Sequence, residues 1–249
     1  MNRKESVVGI CDLQGVLYFS SKKVESGKVK MISGGKCIVI GAGDLTIGEI
    51  RVQEEDLLIA VDGGLDYCGI LGIEPDLILG DFDSVSGQAE EKVNALENRI
   101  PERVVRLPKE KDDTDMLAAL KEGLARGYRD FRIFAATGGR LDHTFANIQC
   151  LLYLKNHDAA GYLLDGAGMI HVIVNEAVRF QKNLKGMLSL FSLVKETRGV
   201  TIRNMKYTLE KAVVANDFPV GISNEFIGEE AEVIVEDGAL VCMVSYEDS

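Results

Sequence analysis

The 249-residue chain has little that would suit it to a charged polymer or a bilayer. Lysine and arginine number 28 against 39 aspartates and glutamates, a formal net charge of −11. No basic stripe interrupts that excess. Nucleic acid and anionic membrane surfaces are therefore excluded as general partners, because their phosphates would be repelled. No apolar run reaches transmembrane length, and the amino-terminal MNRKESVVGICD carries charge without a sustained apolar core. Cys11, Cys37, Cys68, Cys150 and Cys242 are odd in number, scattered and without a CxxC. That pattern excludes a disulfide frame or zinc site, suits buried thiols in a reducing compartment, and makes a cytoplasmic location the expectation. A P-loop GK[ST], an internal repeat, a low-complexity tract and a long linker are all lacking. What remains is 46% hydrophobic and 27% charged, ordinary globular material for one sizeable domain or two modest ones.

The most informative stretch is DLILGDFDSV at residues 76–85. Leu77, Ile78 and Leu79 read as a buried strand with Gly80 turning the backbone at its carboxyl end. In extended backbone Asp81 and Asp83 would share a face and form an oxygen-rich corner suited to a hard cation such as Mg²⁺. A solvated acidic turn explains the same residues equally well when they are taken alone.

Residues 5–32 alternate loosely around Asp12, Gly15 and Gly27, which predicts a small β-hairpin or three short strands. From Lys36 short apolar strands (37–40, 57–61, 77–79, 104–107, 133–136 and 162–164) alternate with amphipathic segments. Met116, Leu117, Leu120 and Leu124 mark one helix, and Phe145, Ile148 and Leu152 repeat the spacing in the next. After about Val174 the helical period gives way to strand-like segments, with Glu236, Asp237 and Gly238 expected to close a tight hairpin. The prediction is an α/β fold, a mostly parallel sheet flanked by helices, followed by a smaller all-β sandwich-like domain. The expected divisions are an amino-terminal hairpin extension over 1–34, an α/β domain over 35–174 and a β-sandwich over 175–249. In such a fold the ligand crevice lies at the carboxyl ends of the parallel strands, where Asp62, Asp81 and Gly138 fall.

Four motifs sit at those ends. GAGDL at residues 41–45 lacks the third glycine of a dinucleotide fingerprint and reads as a tight turn. Asp62, Gly63 and Gly64 precede a helix whose first amides would favour an anion. KDDTD at 111–115 opens the best helix. Asp112 and Asp115 resemble a capping pair, but three acids with Thr114, just after Lys109 and Lys111, look more like carboxylates for metal and lysines for phosphate. In GGRLDH at 138–143, glycines on one side would let Arg140 swing its planar fork toward phosphate oxygens, and His143 lies one turn from Asn147. No serine or cysteine nucleophile pairs with that histidine. Together these residues predict a metal-dependent enzyme acting on a nucleotide or phosphate ester.

The ordered set DGG, GDFDS, KDDTD and GGRLDH, followed by MKYTLE at 205–210 and GISNEF at 221–226, resembles the thiamine pyrophosphokinase family from Lys36 onward. The resemblance implies transfer of a diphosphate from ATP, the co-substrate, to the thiamine hydroxyl, giving AMP and thiamine diphosphate, in a homodimer with the active site at the subunit interface. It implies that Asp81, Asp83 and Asp115 hold Mg²⁺ and the ATP phosphates, with Asp62 and Asp112 nearby and Arg140 on the transferred group. Gly63, Gly64, Lys111, Thr114, Gly139 and His143 complete the set expected around the substrates. Ser223 and Asn224 would hold thiamine, with Tyr207 an aromatic neighbour. The amino-terminal 30 or so residues match nothing in that core. Two rivals remain. DFDSV also fits the start of haloacid-dehalogenase-type phosphatases, with Asp81 as nucleophile, which an aspartyl-phosphate would reveal. A non-catalytic nucleotide or thiamine sensor would bind tightly without turnover.

Overall fold

The computed structural model describes residues 34–82, 87–108, 110 and 112–247. The expected hairpin over 5–32, together with Asp83, Lys109 and Lys111, lies outside the described residues. Beyond them the chain runs β1 (Cys37–Ile40), β2 (Leu57–Val61), α1 (Gly64–Leu71), β3 (Leu77–Gly80), α2 (Gly87–Arg99), β4 (Val104–Arg106), α3 (Asp115–Ala125), β5 (Asp130–Phe134), α4 (Leu141–Asn156) and β6 (Ala160–Asp165). Antiparallel structure follows: β7 (Gly168–Val174), β8 (Ala177–Phe180), β9 (Gly186–Ser192), β10 (Glu196–Arg203), β11 (Leu209–Ala215), β12 (Gly221–Glu225), β13 (Ala231–Ile234) and β14 (Ala239–Tyr246).

The parallel strands lie in the order β4-β3-β2-β1-β5-β6. From β1 the chain steps outward to β4, and α3 then returns it to β5 on the other side of β1. The strand order therefore reverses between β1 and β5, and the loops leaving those strands border the crevice that such a reversal opens. The strands read as continuous apolar runs because both faces are covered. Val39, Ile59, Leu79 and Ile133 meet Met116, Leu120, Ile148 and Leu151 of α3 and α4. Ile38, Ile40, Leu58 and Ile78 face Leu65, Cys68 and Val93 of α1 and α2. The four described cysteines are buried and free, and desolvation pushes their thiols up, which leaves them inert.

The sheet does not stop at the change of texture near Val174. A turn after Asp165 folds β7 back antiparallel on β6, and β14, β9 and β12 extend the same sheet to ten strands. A second sheet, β11-β10-β13-β8, packs over this extension. Phe180, Val200, Ile202 and Val233 there share one core with Leu188, Leu240 and Cys242, and that core continues to α1 and α2. The architecture is thus a mostly parallel sheet flanked by helices, with a smaller antiparallel sheet laid on its far end. No helix among the described residues is long and apolar enough to cross a membrane.

Five local expectations need correcting. Residues 236–238 do not close a hairpin, because β13 pairs with β8 and β10 whereas β14 pairs with β7 and β9 in the other sheet. Val233, Val235, Leu240, Cys242 and Val244 are buried between the sheets, but Val241 is buried on the opposite face, so β14 is covered on both sides and not half-buried as its alternation suggests. Strand β5 ends at Phe134, as Ala135 turns left-handed with φ 48. The segment before β11 is a loop up to Thr208. On α4, Phe145 is 57% exposed while Asn147, Ile148, Leu151 and Leu154 are buried, so the inward face is rotated from the one the spacing suggests.

Candidate functional site

The rim at the carboxyl ends of β1, β2, β3 and β5 collects most of the candidate residues. Asp62 leaves β2 in a left-handed conformation, φ 46. Its N–H donates to the Leu79 carbonyl at 3.0 Å, and its Oδ1 accepts the Phe82 N–H at 3.4 Å. These bonds tie the end of β2 to the turn after β3, where Asp81 lies half-buried. Phe82 is buried at φ 60, with the Arg106 guanidinium 5.2 Å from its ring centre. As far as Phe82, the backbone is not the extended one that the two-residue spacing assumes.

Gly64 is buried at the start of α1, where a Cβ would come within 2.1 Å of the Ile40 carbonyl oxygen. The amides of the next two residues, Leu65 and Asp66, already bond the carbonyls of Asp62 and Gly63 at 3.2 and 3.1 Å. Gly64 thus serves close approach of the helix to β1, and the Leu65 and Asp66 amides are taken up within the first turn. GAGDL is a packed turn as well. The N–H groups of Gly43 and Asp44 donate to Ala135 and Thr137 carbonyls at 2.7 and 2.8 Å, and the Tyr67 hydroxyl donates to the Gly43 carbonyl at 2.7 Å.

At the start of α3 the cap is Thr114, whose Oγ1 accepts the Leu117 N–H at 3.2 Å. Asp113 pairs with Lys121 at 2.6 Å. Capping therefore occupies neither Asp112, which is exposed, nor Asp115, the half-buried first residue of the helix. Helix α3 packs against β2 and β3, which carry Asp62 and Asp81 at their ends. Among the described residues no group of three or more His, Cys, Asp or Glu side chains is arranged to hold a metal ion. The donors on this rim are nonetheless carboxylate oxygens, the chemistry Mg²⁺ takes, and Asp83 beyond Phe82 lies outside the described residues.

The GGRLDH loop leaves β5. Gly138 stands at φ 79, and a Cβ there would fall 2.0 Å from Asp44 Oδ2, so a side chain here would strain the backbone and displace Asp44. Gly139 is also left-handed, at φ 57. Arg140 is the N-cap of α4, and its guanidinium forks onto Asp142, Nε to Oδ1 at 3.2 Å and Nη2 to Oδ2 at 2.6 Å. The pairing raises the pKa of Arg140 and lowers that of Asp142. Both side chains are exposed, so an anionic ligand can compete for the arginine. Sequence reasoning passed over Asp142; the signal was a carboxylate two residues beyond the arginine inside a motif already singled out. His143 is exposed, whereas Asn147, one turn on, is buried and donates to the Ala136 carbonyl at 2.8 Å, a structural tie.

Tyr207, Ser223 and Asn224 come together elsewhere, beside the edge strand β12. Asn224 is buried, with Oδ1 accepting the Tyr207 N–H at 2.9 Å and Nδ2 donating to the Tyr207 carbonyl at 2.7 Å. Ser223 is exposed, at φ 58, and its N–H donates to Ser189 Oγ at 3.1 Å. Tyr207 and Asn224 border a cavity of about 80 Å³ walled by Leu188, Leu190 and Ile202, with Val220 and Ile222 at its rim.

The comparisons with known proteins agree with this division. The family model described as thiamin pyrophosphokinase, catalytic domain, matches residues 50–163, and the one described as thiamin pyrophosphokinase, vitamin B1 binding domain, matches residues 171–240. The chain is 29% identical over 194 residues to thiamine pyrophosphokinase of Bacillus subtilis (strain 168), covering 78% of this chain and 89% of that protein. The crystal structure of the Bacillus subtilis enzyme superposes with a TM-score of 0.75 at 27% identity, covering 86% of this chain and 100% of that one. That of thiamin pyrophosphokinase from Geobacillus thermodenitrificans gives 0.73 at 28%, covering 86% and 99%. With both family domains matched in order, over the rim motifs and over the β12 edge, this chain belongs to the thiamine pyrophosphokinase family.

Proposed function

We propose that the protein is an Mg²⁺-dependent thiamine diphosphokinase working as a homodimer, with each active site shared between two subunits. One observation carries the reading. In the ten-stranded sheet β12 lies eight strand spacings from β3. At about 4.8 Å per spacing that is roughly 38 Å across the sheet, too far for Ser223 and Asp81 of one chain to touch one small substrate. A second copy bringing its β12 edge to the first copy's rim would complete the site twice over by symmetry.

Asp81 and Asp115, with Asp83, would hold the metal, which when bound supplies positive charge against the polyphosphate oxygens. Arg140 would leave Asp142 for the transferred group, its planar fork matching two phosphoryl oxygens. The exposed Tyr207 ring offers a π-face to the thiazolium cation. The thiamine hydroxyl oxygen then bonds to the β-phosphorus in line, while the bond from that phosphorus to the oxygen bridging to the α-phosphate breaks. AMP and one proton leave. Positioning and charge neutralisation carry the chemistry.

The test is to incubate the protein with ATP, Mg²⁺ and thiamine and to separate AMP, ADP, free phosphate and thiamine diphosphate. AMP formed in step with thiamine diphosphate supports the reading. ADP or phosphate without thiamine diphosphate overturns the substrate assignment, and tight binding without turnover replaces the enzyme with a sensor.

A further inference from the structure

Strand β12 carries one residue more than its partner. Gly221 stands opposite Leu190, but Asn224 stands opposite Leu188, so β12 bulges between them. The bulge holds Ser223 left-handed, and Ser189 Oγ takes the N–H that the interrupted ladder leaves over. It also shifts the alternation. Ile222 and Ser223 both face solvent, and Asn224 turns inward to 5% exposure. There its carboxamide meets the main chain of Tyr207 at two points, accepting from N–H and donating to C=O. The Lys206 N–H donates to the Glu225 carbonyl at 3.1 Å, and Met205 bridges Phe226, so the segment ending at Tyr207 is laid along the end of β12. The Tyr207 ring, 62% exposed, stands at the lip of the apolar cavity.

We infer that Asn224 is a positioning residue that fixes the Tyr207 main chain for the substrate cation. The inference rests on the function proposed above. Loss of the carboxamide would leave the Tyr207 N–H and carbonyl, next to a largely apolar cavity, without these partners. The clip spans the two sheets, joining the loop after β10 to β12, and fixes the main chain from which the Tyr207 ring projects.

The test is a double-mutant cycle on the full chain with thiamine KM, ATP KM and kcat as readouts. Asn224→Ala should raise thiamine KM about tenfold, the loss of two modest hydrogen bonds, and leave ATP KM unchanged. In a Tyr207→Ala background the same substitution should change thiamine KM no further. Asn224→Asp, which keeps the acceptor for the Tyr207 N–H, should lie between wild type and Asn224→Ala and serves if the alanine variant fails to fold. Amide hydrogen exchange at Tyr207 should be slow in wild type and fast in Asn224→Ala. Fold-effects that multiply across the cycle, or an unchanged Tyr207 exchange rate, would overturn the inference while leaving the enzyme assignment intact. A wild-type protein that does not turn over thiamine would overturn both.

Discussion

Asp81 lies at the carboxyl end of β3, beside a turn braced by Asp62. If it holds the metal, Asp81→Asn should lower kcat by about a hundredfold or more, since charge stabilisation of the transferred group is the main contribution to catalysis. Circular dichroism and melting temperature should stay near wild type, and near-normal turnover would remove Asp81 from the site. A second residue-scale expectation concerns His171, buried between Tyr162 and Phe180. Desolvation first, then the charge of Lys155, lowers its pKa to about 3. The ordinary value is 6.5. Between those values only the unfolded chain binds the proton, so this contribution is complete above pH 6.5 and is lost as pH falls toward 3, by up to about 1.4 kcal/mol per unit. Between pH 6.5 and 5, above the carboxylate range, urea unfolding of His171→Phe should show a flatter pH dependence than wild type. An equal slope would mean that another group titrates. His143 belongs to the GGRLDH motif and is exposed, whereas His171 lies in the apolar strand β7 and is buried.

Helix α3 shows how far an element can be read from its residues. The run from Met116 to Leu124 fixes its existence and its inward face, and Met116, Ala119, Leu120 and Gly123 are buried. The hydroxyl of Thr114 caps its start, so the resemblance of Asp112 and Asp115 to a capping pair does not describe the cap. Thr114→Ala should cost about 1 kcal/mol of stability, with Thr114→Ser close to wild type, measured by chemical denaturation. An equal loss in both variants would place the effect in packing of the threonine methyl. The β12 bulge is the opposite case. GISNEF has no alternation that would reveal an extra residue, because a bulge exists only relative to a partner strand. The same reason hid the sheet change between β13 and β14: Val233, Val235, Leu240 and Cys242 announce strands but not which strands they pair with.

At the scale of the whole molecule, the ten-stranded sheet sets the rim motifs and the β12 edge far apart. Asp81→Asn and Ser223→Arg, which places a cation where the thiazolium is expected, should each be nearly inactive. When the two are mixed and allowed to exchange subunits, a dimer with shared sites contains one intact site in each mixed pair, so about a quarter of wild-type activity should return. A mixture that stays inactive would mean that each chain builds its site alone. The α/β-then-β order, the buried strands and the motifs at their ends were all legible along the chain, because hydrophobic periodicity, turn glycines and clustered acids are properties of neighbouring residues. The left-handed Phe82 between the two acids, the capture of Asn224 by Tyr207 and the continuity of one sheet through Val174 belong to the tertiary structure. Each depends on groups distant in sequence, and only packing decides which of them meet.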